Sequence, residues 1–205
     1  MKFVNPLPFF LLAYLLGSIP FALVVSLPQG VDPRKAGSKN PGATNVARLL
    51  GKKWGVITFL GDLGKGIIAL FIAKFATGLS FQEAPSLYAG VALFAVIGHM
   101  YSLFLKLKGG KGVATTIGTF LVLTPLPSLL SLIFFLLMVY LTNYVSVGSL
   151  TFSLVLPILI YFFTYPKEYF FSSLALTLLI WIKHRDNIKR LLKGEENPWI
   201  WKRKN

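Results

Sequence analysis

The sequence predicts an all-α membrane protein, a polytopic bundle of about seven transmembrane helices with its N-terminus outside and its C-terminus in the cytoplasm. Hydrophobic residues make up 55% of the 205 residues, and long apolar runs recur along the chain. The runs lack the pattern of a closed barrel, so only helices can satisfy their backbone groups in lipid. The net charge of +14 lies mostly in three short segments, residues 34–53, 106–111 and 183–205.

Five apolar stretches are each predicted as one span, because a membrane-crossing helix needs about 20 apolar residues. They are residues 6–27, 54–77, 85–105, 147–164 and 168–182. The first is interpreted as a retained span and not a signal peptide, because no small-residue cleavage site follows it.

The stretch between residues 113 and 140 decides the topology. The positive-inside rule places all three basic segments in the cytoplasm, so the chain crosses an even number of times between Lys111 and Lys183. The sequence TPLP at 124–127 interrupts the stretch, which predicts either a hairpin of two crossings or none. Two crossings give seven helices, although the first arm, 113–123, covers only about 17 Å.

Composition excludes several kinds of chemistry. The chain has no cysteine and two histidines, which excludes disulfides and thiol catalysis and leaves too few ligands for an ordinary zinc site. We therefore predict no metal and no cofactor. Nucleic acid is not an expected partner, because the basic residues lie in short segments between spans.

The first basic segment carries groups that bind phosphate. Residues 37–48 read GSKNPGATNVAR, and Arg48 can grip a phosphate through two parallel hydrogen bonds. Further candidate ligands are Ser38, Asn40, Thr44 and Asn45. A polar loop with Asn-Pro-Gly turn chemistry explains the same residues equally well.

Residues 106–112, KLKGGKG, form what we call the glycine segment. Its glycines let backbone approach a ligand closely, and a helix that begins after it would point free N–H groups at an anion. The binding candidates are Lys106, Lys108, Gly109, Gly110, Lys111 and Gly112. The segment is not a Walker A loop, since the spacing and the preceding strand are missing. The alternative is a cytoplasmic loop with a glycine turn.

The third basic segment offers a candidate base. His184 and Asn187 share a helix face at i, i+3 spacing, and a histidine can act as a general base or donate to phosphate. A basic amphipathic helix lying on anionic lipid is the alternative interpretation.

Asp62 and Lys65 fall inside a predicted span. An intramembrane charge indicates a functional site by default, but the i, i+3 spacing favours a structural ion pair. His99, in the next span, is interpreted as a packed, hydrogen-bonded histidine.

Taken together and in order, these segments resemble one family, the bacterial acyl-phosphate:glycerol-3-phosphate acyltransferases (PlsY). The resemblance rests on residues 37–48, on 98–99 with 104–115, and on 184–196. It implies a single integral membrane acyltransferase domain over residues 1–205, in the bacterial cytoplasmic (inner) membrane, with its active site facing the cytoplasm.

The activity implied by the resemblance is acyl transfer from acyl phosphate to the 1-hydroxyl of glycerol 3-phosphate. The products are 1-acyl-glycerol 3-phosphate (lysophosphatidic acid) and phosphate, in the first step of bacterial phospholipid synthesis. The implied partners are the two substrates, membrane lipid and an upstream acyl-phosphate synthase. An organic-phosphate transporter and a lipid-binding scaffold are the alternatives, although no inverted repeat typical of transporters is visible.

The resemblance also assigns roles. It marks Ser38, Arg48, His184 and Asn187 as catalytic, and it associates the glycine segment and Ser146 with the substrates. A glutamate, either Glu195 or Glu196, is implied to be structural. Lys39 stands where the family often has glycine, and Ser102-Leu103 where it usually has Pro-Val, so local geometry is expected to differ there.

Overall fold

The computed structural model describes residues 4–199. All regular secondary structure in that range is helical, as the apolar runs predict. The chain divides into two compact units between Leu123 and Thr124.

The first unit contains six α-helices and two short 3₁₀ turns. The helices are α1 (Leu7–Ser18), α2 (Phe21–Ser26), α3 (Ala43–Leu50), α4 (Lys52–Thr77), α5 (Pro85–Met100) and α6 (Val113–Leu123). The 3₁₀ turns are Leu27–Gln29 and Leu103–Leu105.

The first predicted span is interrupted. Ile19 has extended backbone (ψ 118°) between α1 and α2, because the residue before a proline is pushed out of the helical region and Pro20 has no N–H to donate. The Ile19 carbonyl, which a continuous helix would have used, accepts a hydrogen bond from the Lys65 ammonium at 2.9 Å.

Close packing joins α1 to α5. A side chain on Gly17 would overlap the Ala95 carbonyl, and one on Gly98 would overlap the Tyr14 carbonyl. Small residues at these positions let two helix backbones approach closely, which is how helices associate in lipid. The rings of Phe10 and Phe94 stack across the same contact with centroids 5.0 Å apart.

The second unit contains α7 (Pro125–Thr142), α8 (Val145–Phe162), α9 (Lys167–Lys183) and α10 (Arg185–Leu192). The predicted interruption near residues 124–127 is confirmed: α6 ends at Leu123 and Thr124 is non-helical. Pro127 lies in the first turn of α7, where no backbone N–H is needed. Between α8 and α9 the Thr177 hydroxyl donates to the Ser153 carbonyl.

Five segments in the described range are long and apolar enough to cross a membrane. They are Leu7–Gln29, Lys52–Thr77, Pro85–Leu105, Pro125–Thr142 and Val145–Phe162. The other two predicted spans are shorter helices, with 11 residues in α6 and 17 in α9. Seven crossings and the orientation of the chain therefore stay predictions.

Candidate active site

Asn45 holds the polar loop that precedes α3. Its Oδ1 accepts from the Ser38 N–H at 2.9 Å, and its Nδ2 donates to the carbonyls of Pro33 and Ala36 at 2.8 and 3.1 Å. Asn45 is 1% exposed, and Gly37 (φ 60°) lies so close that a side chain there would overlap Oδ1. These contacts give the Asn45 amide a positioning function, whereas its predicted contact with substrate stays a prediction.

The other candidates of the first segment surround the start of α3. Ser38 is brought to the first turn by the Asn45 contact. Thr44 and Arg48 lie one turn apart on α3 and therefore on one face. Both are half-buried, as are Ser38 and Asn40.

Lys39, where the resemblance implies a small residue or glycine, has left-handed backbone (φ 57°). That conformation favours glycine, since it brings the Cβ of any other residue close to the following carbonyl. Ser102, the other departure, is buried, and its hydroxyl donates to the Ser18 carbonyl. The α5 end is thus fixed to α1 by a polar contact.

The glycine segment packs against the end of α5. The N–H groups of Gly109 and Gly110 donate to the carbonyls of Met100 and His99 at 3.2 and 3.1 Å. A side chain on Gly109 would overlap the His99 carbonyl, and one on Gly110 would overlap His99 Nε2. These glycines therefore allow close contact with α5, and their predicted contact with a ligand stays a prediction.

The three lysines of the glycine segment are not buried: Lys106 and Lys108 are exposed and Lys111 is half-buried. Gly112 (φ 86°) lies against Met100 and precedes α6. The first turn of α6 has backbone N–H groups without intrahelical acceptors, as any helix start does.

A buried cluster of Asp62, Lys65 and His99, called here the buried triad, joins α4 to α5. The predicted Asp62–Lys65 ion pair is present, with 2.8 Å between Nζ and Oδ1. Lys65 Nζ also lies 2.9 Å from His99 Nδ1. All three residues are at most 7% exposed. The sequence predicts the ion pair but not its contact with His99.

Glu196 organises the corresponding cluster of the second unit. Its Oε1 accepts from the Asn187 amide at 2.7 Å and the Ser146 hydroxyl at 3.1 Å, and its Oε2 accepts from Arg190 Nε at 2.8 Å. Glu196 is buried, whereas Glu195 is exposed. Of the two glutamates left open by the sequence, the contacts favour Glu196 as the structural one. Arg190, which was not a candidate, neutralises its charge.

His184 lies at the junction of α9 and α10 and is 2% exposed. Its Nδ1 is 2.8 Å from the Ile180 carbonyl oxygen. Because a carbonyl only accepts, Nδ1 carries the hydrogen, and Nε2 of the neutral ring keeps its lone pair. That tautomer suits a general base.

Outside the helices, an exposed ion pair contrasts with these buried clusters. Arg34 contacts Asp32 through two hydrogen bonds, Nε to Oδ1 at 2.9 Å and Nη2 to Oδ2 at 2.8 Å. The hydrogen bonds from Arg34 lower the pKa of Asp32 from 3.8 to about 2.

Five apolar segments of membrane-spanning length and an all-helical described range define an integral membrane protein. A family model for glycerol-3-phosphate acyltransferase matches residues 7–194. The chain belongs to the glycerol-3-phosphate acyltransferase family.

Named relatives and a solved structure agree with this family assignment. The chain is 47% identical over 196 residues to a glycerol-3-phosphate acyltransferase of Solidesulfovibrio magneticus, covering 93% of this chain and 94% of that protein. It is 44% identical over 200 residues to one of Desulfotalea psychrophila, covering 97% and 98%. The crystal structure of PlsY (YgiH), an integral membrane glycerol 3-phosphate acyltransferase, in its glycerol 3-phosphate form has a TM-score of 0.88 at 39% identity, covering 95% of this chain and 96% of that one.

Proposed function

We propose that this protein transfers a fatty acyl group from acyl phosphate to the 1-hydroxyl of glycerol 3-phosphate. The observation that carries the proposal is the family match over residues 7–194, which includes all three predicted phosphate-binding segments except the end of the last. The products are 1-acyl-glycerol 3-phosphate and inorganic phosphate. One family model spans both units, which supports treating residues 1–205 as a single acyltransferase domain.

The chemistry needs no covalent intermediate. The glycerol C1 oxygen attacks the acyl carbonyl carbon, a C–O ester bond forms, and the carbonyl C–O bond to phosphate breaks. The hydroxyl proton passes to His184 or to a substrate phosphate oxygen. Because acyl phosphate is already an activated anhydride, positioning and charge stabilisation supply most of the rate.

In the first unit we assign phosphate binding to Arg48 and the glycine segment. Two dianionic phosphates repel strongly where water is scarce, and a guanidinium with lysines nearby offsets that repulsion. Ser38 is assigned a catalytic role. Its attachment to Asn45 at 2.9 Å supports this assignment, because that contact fixes Ser38 beside the first turn of α3.

In the second unit we assign proton transfer and orientation to His184 and Asn187. The Nδ1–Ile180 contact supports a base role for His184, since it puts the hydrogen of the neutral ring on Nδ1 and makes Nε2 the basic nitrogen. Glu196 orients Asn187 and Ser146 through Oε1. We propose that Ser146 lines the substrate site and that Glu196 holds it there.

The proposed setting is the bacterial inner membrane, crossed seven times, with the active site facing the cytoplasm. The positive charge of residues 34–53, 106–111 and 183–205 supports this orientation. Acyl phosphate would come from an upstream acyl-phosphate synthase.

The assay uses purified protein in lipid vesicles with glycerol 3-phosphate and one of three acyl donors: acyl phosphate, acyl-CoA or the acylated acyl carrier protein. Of the three donors, only acyl phosphate is expected to give phosphate and lysophosphatidic acid. Turnover with acyl-CoA but not with acyl phosphate would overturn the assignment of acyl phosphate as donor. Uptake of glycerol 3-phosphate without acylation would show that the protein is a transporter and not an acyltransferase. Rapid quench tests the direct route, because a covalent acyl-Ser38 would contradict it.

Arg48→Ala tests the phosphate role. We expect the KM for glycerol 3-phosphate to rise by about 100-fold or turnover to disappear, since one charged hydrogen-bonding group is lost. Arg34→Ala is the matched control, because it removes an exposed arginine that pairs with Asp32. Unchanged kinetics in Arg48→Ala would remove Arg48 from the site.

A further inference from the structure

The buried triad of Asp62, Lys65 and His99 lies directly against the glycine segment, yet the proposed mechanism gives it no part. We propose that His99 is a positioning residue that fixes the glycine segment for binding glycerol 3-phosphate, and that Asp62 and Lys65 fix the His99 ring. The inference rests on the proposed function, because the ligand it names is the proposed acyl acceptor.

The His99 ring is oriented by Lys65 and Asp62. His99 Nδ1 is 2.9 Å from Lys65 Nζ and 3.3 Å from Asp62 Oδ1. The Lys65 ammonium only donates, and His99 Nδ1 lies within its reach as an acceptor. The Nδ1 edge of the ring is therefore turned toward Lys65 and Asp62.

His99 also contacts the glycine segment. Nε2 occupies the space that a side chain on Gly110 would take. The backbone of the same residue holds the segment too, because the His99 carbonyl accepts from the Gly110 N–H at 3.1 Å. One residue of α5 thus contacts the segment through both its ring and its carbonyl.

Lys65 is itself anchored. Its ammonium reaches Asp62 on its own helix, His99 on α5 and the Ile19 carbonyl at the α1–α2 break. Three helical segments therefore converge on one cation. With a neutral His99 the triad has no net charge, which lowers the cost of burying it in the membrane.

A buried ion pair is seldom the most stabilising choice, since apolar residues of similar volume pack as well. Its advantage is geometric, because the Lys65 ammonium bonds well only to partners that lie in the directions of its N–H groups. Here that geometry determines where the His99 ring lies and hence where Gly110 can lie. The position of Gly110 in turn determines the positions of Lys111 and of the start of α6, which follow it.

The main test is His99→Phe, which keeps the ring volume and removes both nitrogens. We expect the KM for glycerol 3-phosphate to rise by about 10-fold or more, with kcat and the KM for acyl phosphate changed by less than about twofold. Tyr88→Phe is the control, because Tyr88 is buried on α5, with its hydroxyl bonded to the Leu79 carbonyl, at the end of the helix remote from the segment. An unchanged KM in His99→Phe would overturn the proposal.

A double-mutant cycle tests the contact itself. Gly110→Ala should raise the KM for glycerol 3-phosphate in the parent but have much less effect in a His99→Ala background, where the ring no longer occupies the space. Additive effects of the two substitutions would contradict the contact.

Hydrogen exchange separates this inference from the proposed function. Amides of Gly109 and Gly110 should exchange at least about 10-fold faster in His99→Phe than in the parent or Tyr88→Phe. That result would support the positioning role even for a parent without acyltransferase activity, and equal rates would overturn it. If His99→Phe does not fold, His99→Asn replaces it in both measurements, because it keeps an acceptor near Nδ1 and lacks the Nε2 group.

Discussion

The two units solve the burial of a carboxylate differently. Asp62 is neutralised by Lys65 three positions along the same helix, at 2.8 Å. Glu196 is neutralised by Arg190 and also accepts from Ser146, which precedes it by 50 residues. Asp62 pairs with a lysine that contacts two further helical segments. Glu196 binds the candidate active-site residues Ser146 and Asn187 directly.

The two buried carboxylates differ in what they hold in place. The Asp62 carboxylate lies against two groups, the Lys65 ammonium at 2.8 Å and His99 Nδ1 at 3.3 Å. Glu196 uses both oxygens as acceptors for three donors. Loss of charge should therefore dominate at Asp62, where the lysine is fully buried, and should cost less at Glu196, where Arg190 is partly exposed and an amide keeps an acceptor for the other two donors.

The largest effect is expected for Asp62→Asn. The change leaves Lys65 as a buried charge without its counter-ion, which costs about 3–5 kcal/mol of unfolding free energy. Thermal unfolding in detergent should show a midpoint lowered by about 10 °C. Adding Lys65→Met should recover part of the loss, and a midpoint equal to that of the parent in the single variant would contradict the ion pair's importance.

The second effect concerns Glu196→Gln. Glutamine keeps an acceptor for Ser146 and Asn187 but leaves the Arg190 charge uncompensated, so we expect about 1–3 kcal/mol of destabilisation. The same thermal measurement should show a drop of about 5 °C. Glu195→Gln, one residue away and exposed, should change the midpoint by less than about 1 °C. Equal shifts in the two variants would remove the distinction between the glutamates.

The uncharged Asn45 amide is expected to have the next largest effect. Asn45→Ala removes three hydrogen bonds from the loop before α3, and we expect trypsin to cleave after Lys35 or Lys39 about 10-fold faster. Asn45→Asp keeps the acceptor for Ser38 and should give an intermediate rate. Identical rates in all three proteins would show that Asn45 does not hold the loop.

The smallest effect is expected for the exposed pair. Arg34→Ala should raise the pKa of Asp32 from about 2 toward 3.8, measured by NMR titration of its carboxyl group. A lowered pKa favours folding above pH 3.8, and that contribution disappears as the pH falls through about 2. The contribution is small because solvent screens an exposed ion pair, so the unfolding midpoint at neutral pH should fall by no more than about 2 °C.

Local spacing explains what the sequence predicted well. The Asp62–Lys65 contact follows from i, i+3 geometry, and the interruption at Thr124 follows from the proline beside it. The family assignment likewise depended on short runs read in order. Each of these features is decided by residues within a few positions of one another.

Features that depend on contacts between distant parts of the chain could not be predicted from the sequence. The sequence could not distinguish Glu195 from Glu196, because the choice depends on which one meets Ser146. It predicted a packed, hydrogen-bonded His99 but could not name its partners, because the contacts with Lys65 and Gly110 depend on how α4 and the glycine segment pack against α5. The predicted contact of the glycines with a ligand stays a prediction. The proline in the first span carried a usable signal, since a break frees a carbonyl that a buried lysine can reach.

The Glu196 cluster has a consequence for biogenesis. Proteins emerge from the ribosome in chain order, so Ser146, Asn187 and Arg190 are all synthesised before their shared acceptor. Until residue 196 leaves the exit tunnel, the Arg190 charge lacks the counter-ion that it has in the finished protein, and the Asn187 amide has no carboxylate to bond. The Glu196 contacts consequently form only after the helices that supply the other three side chains have been made.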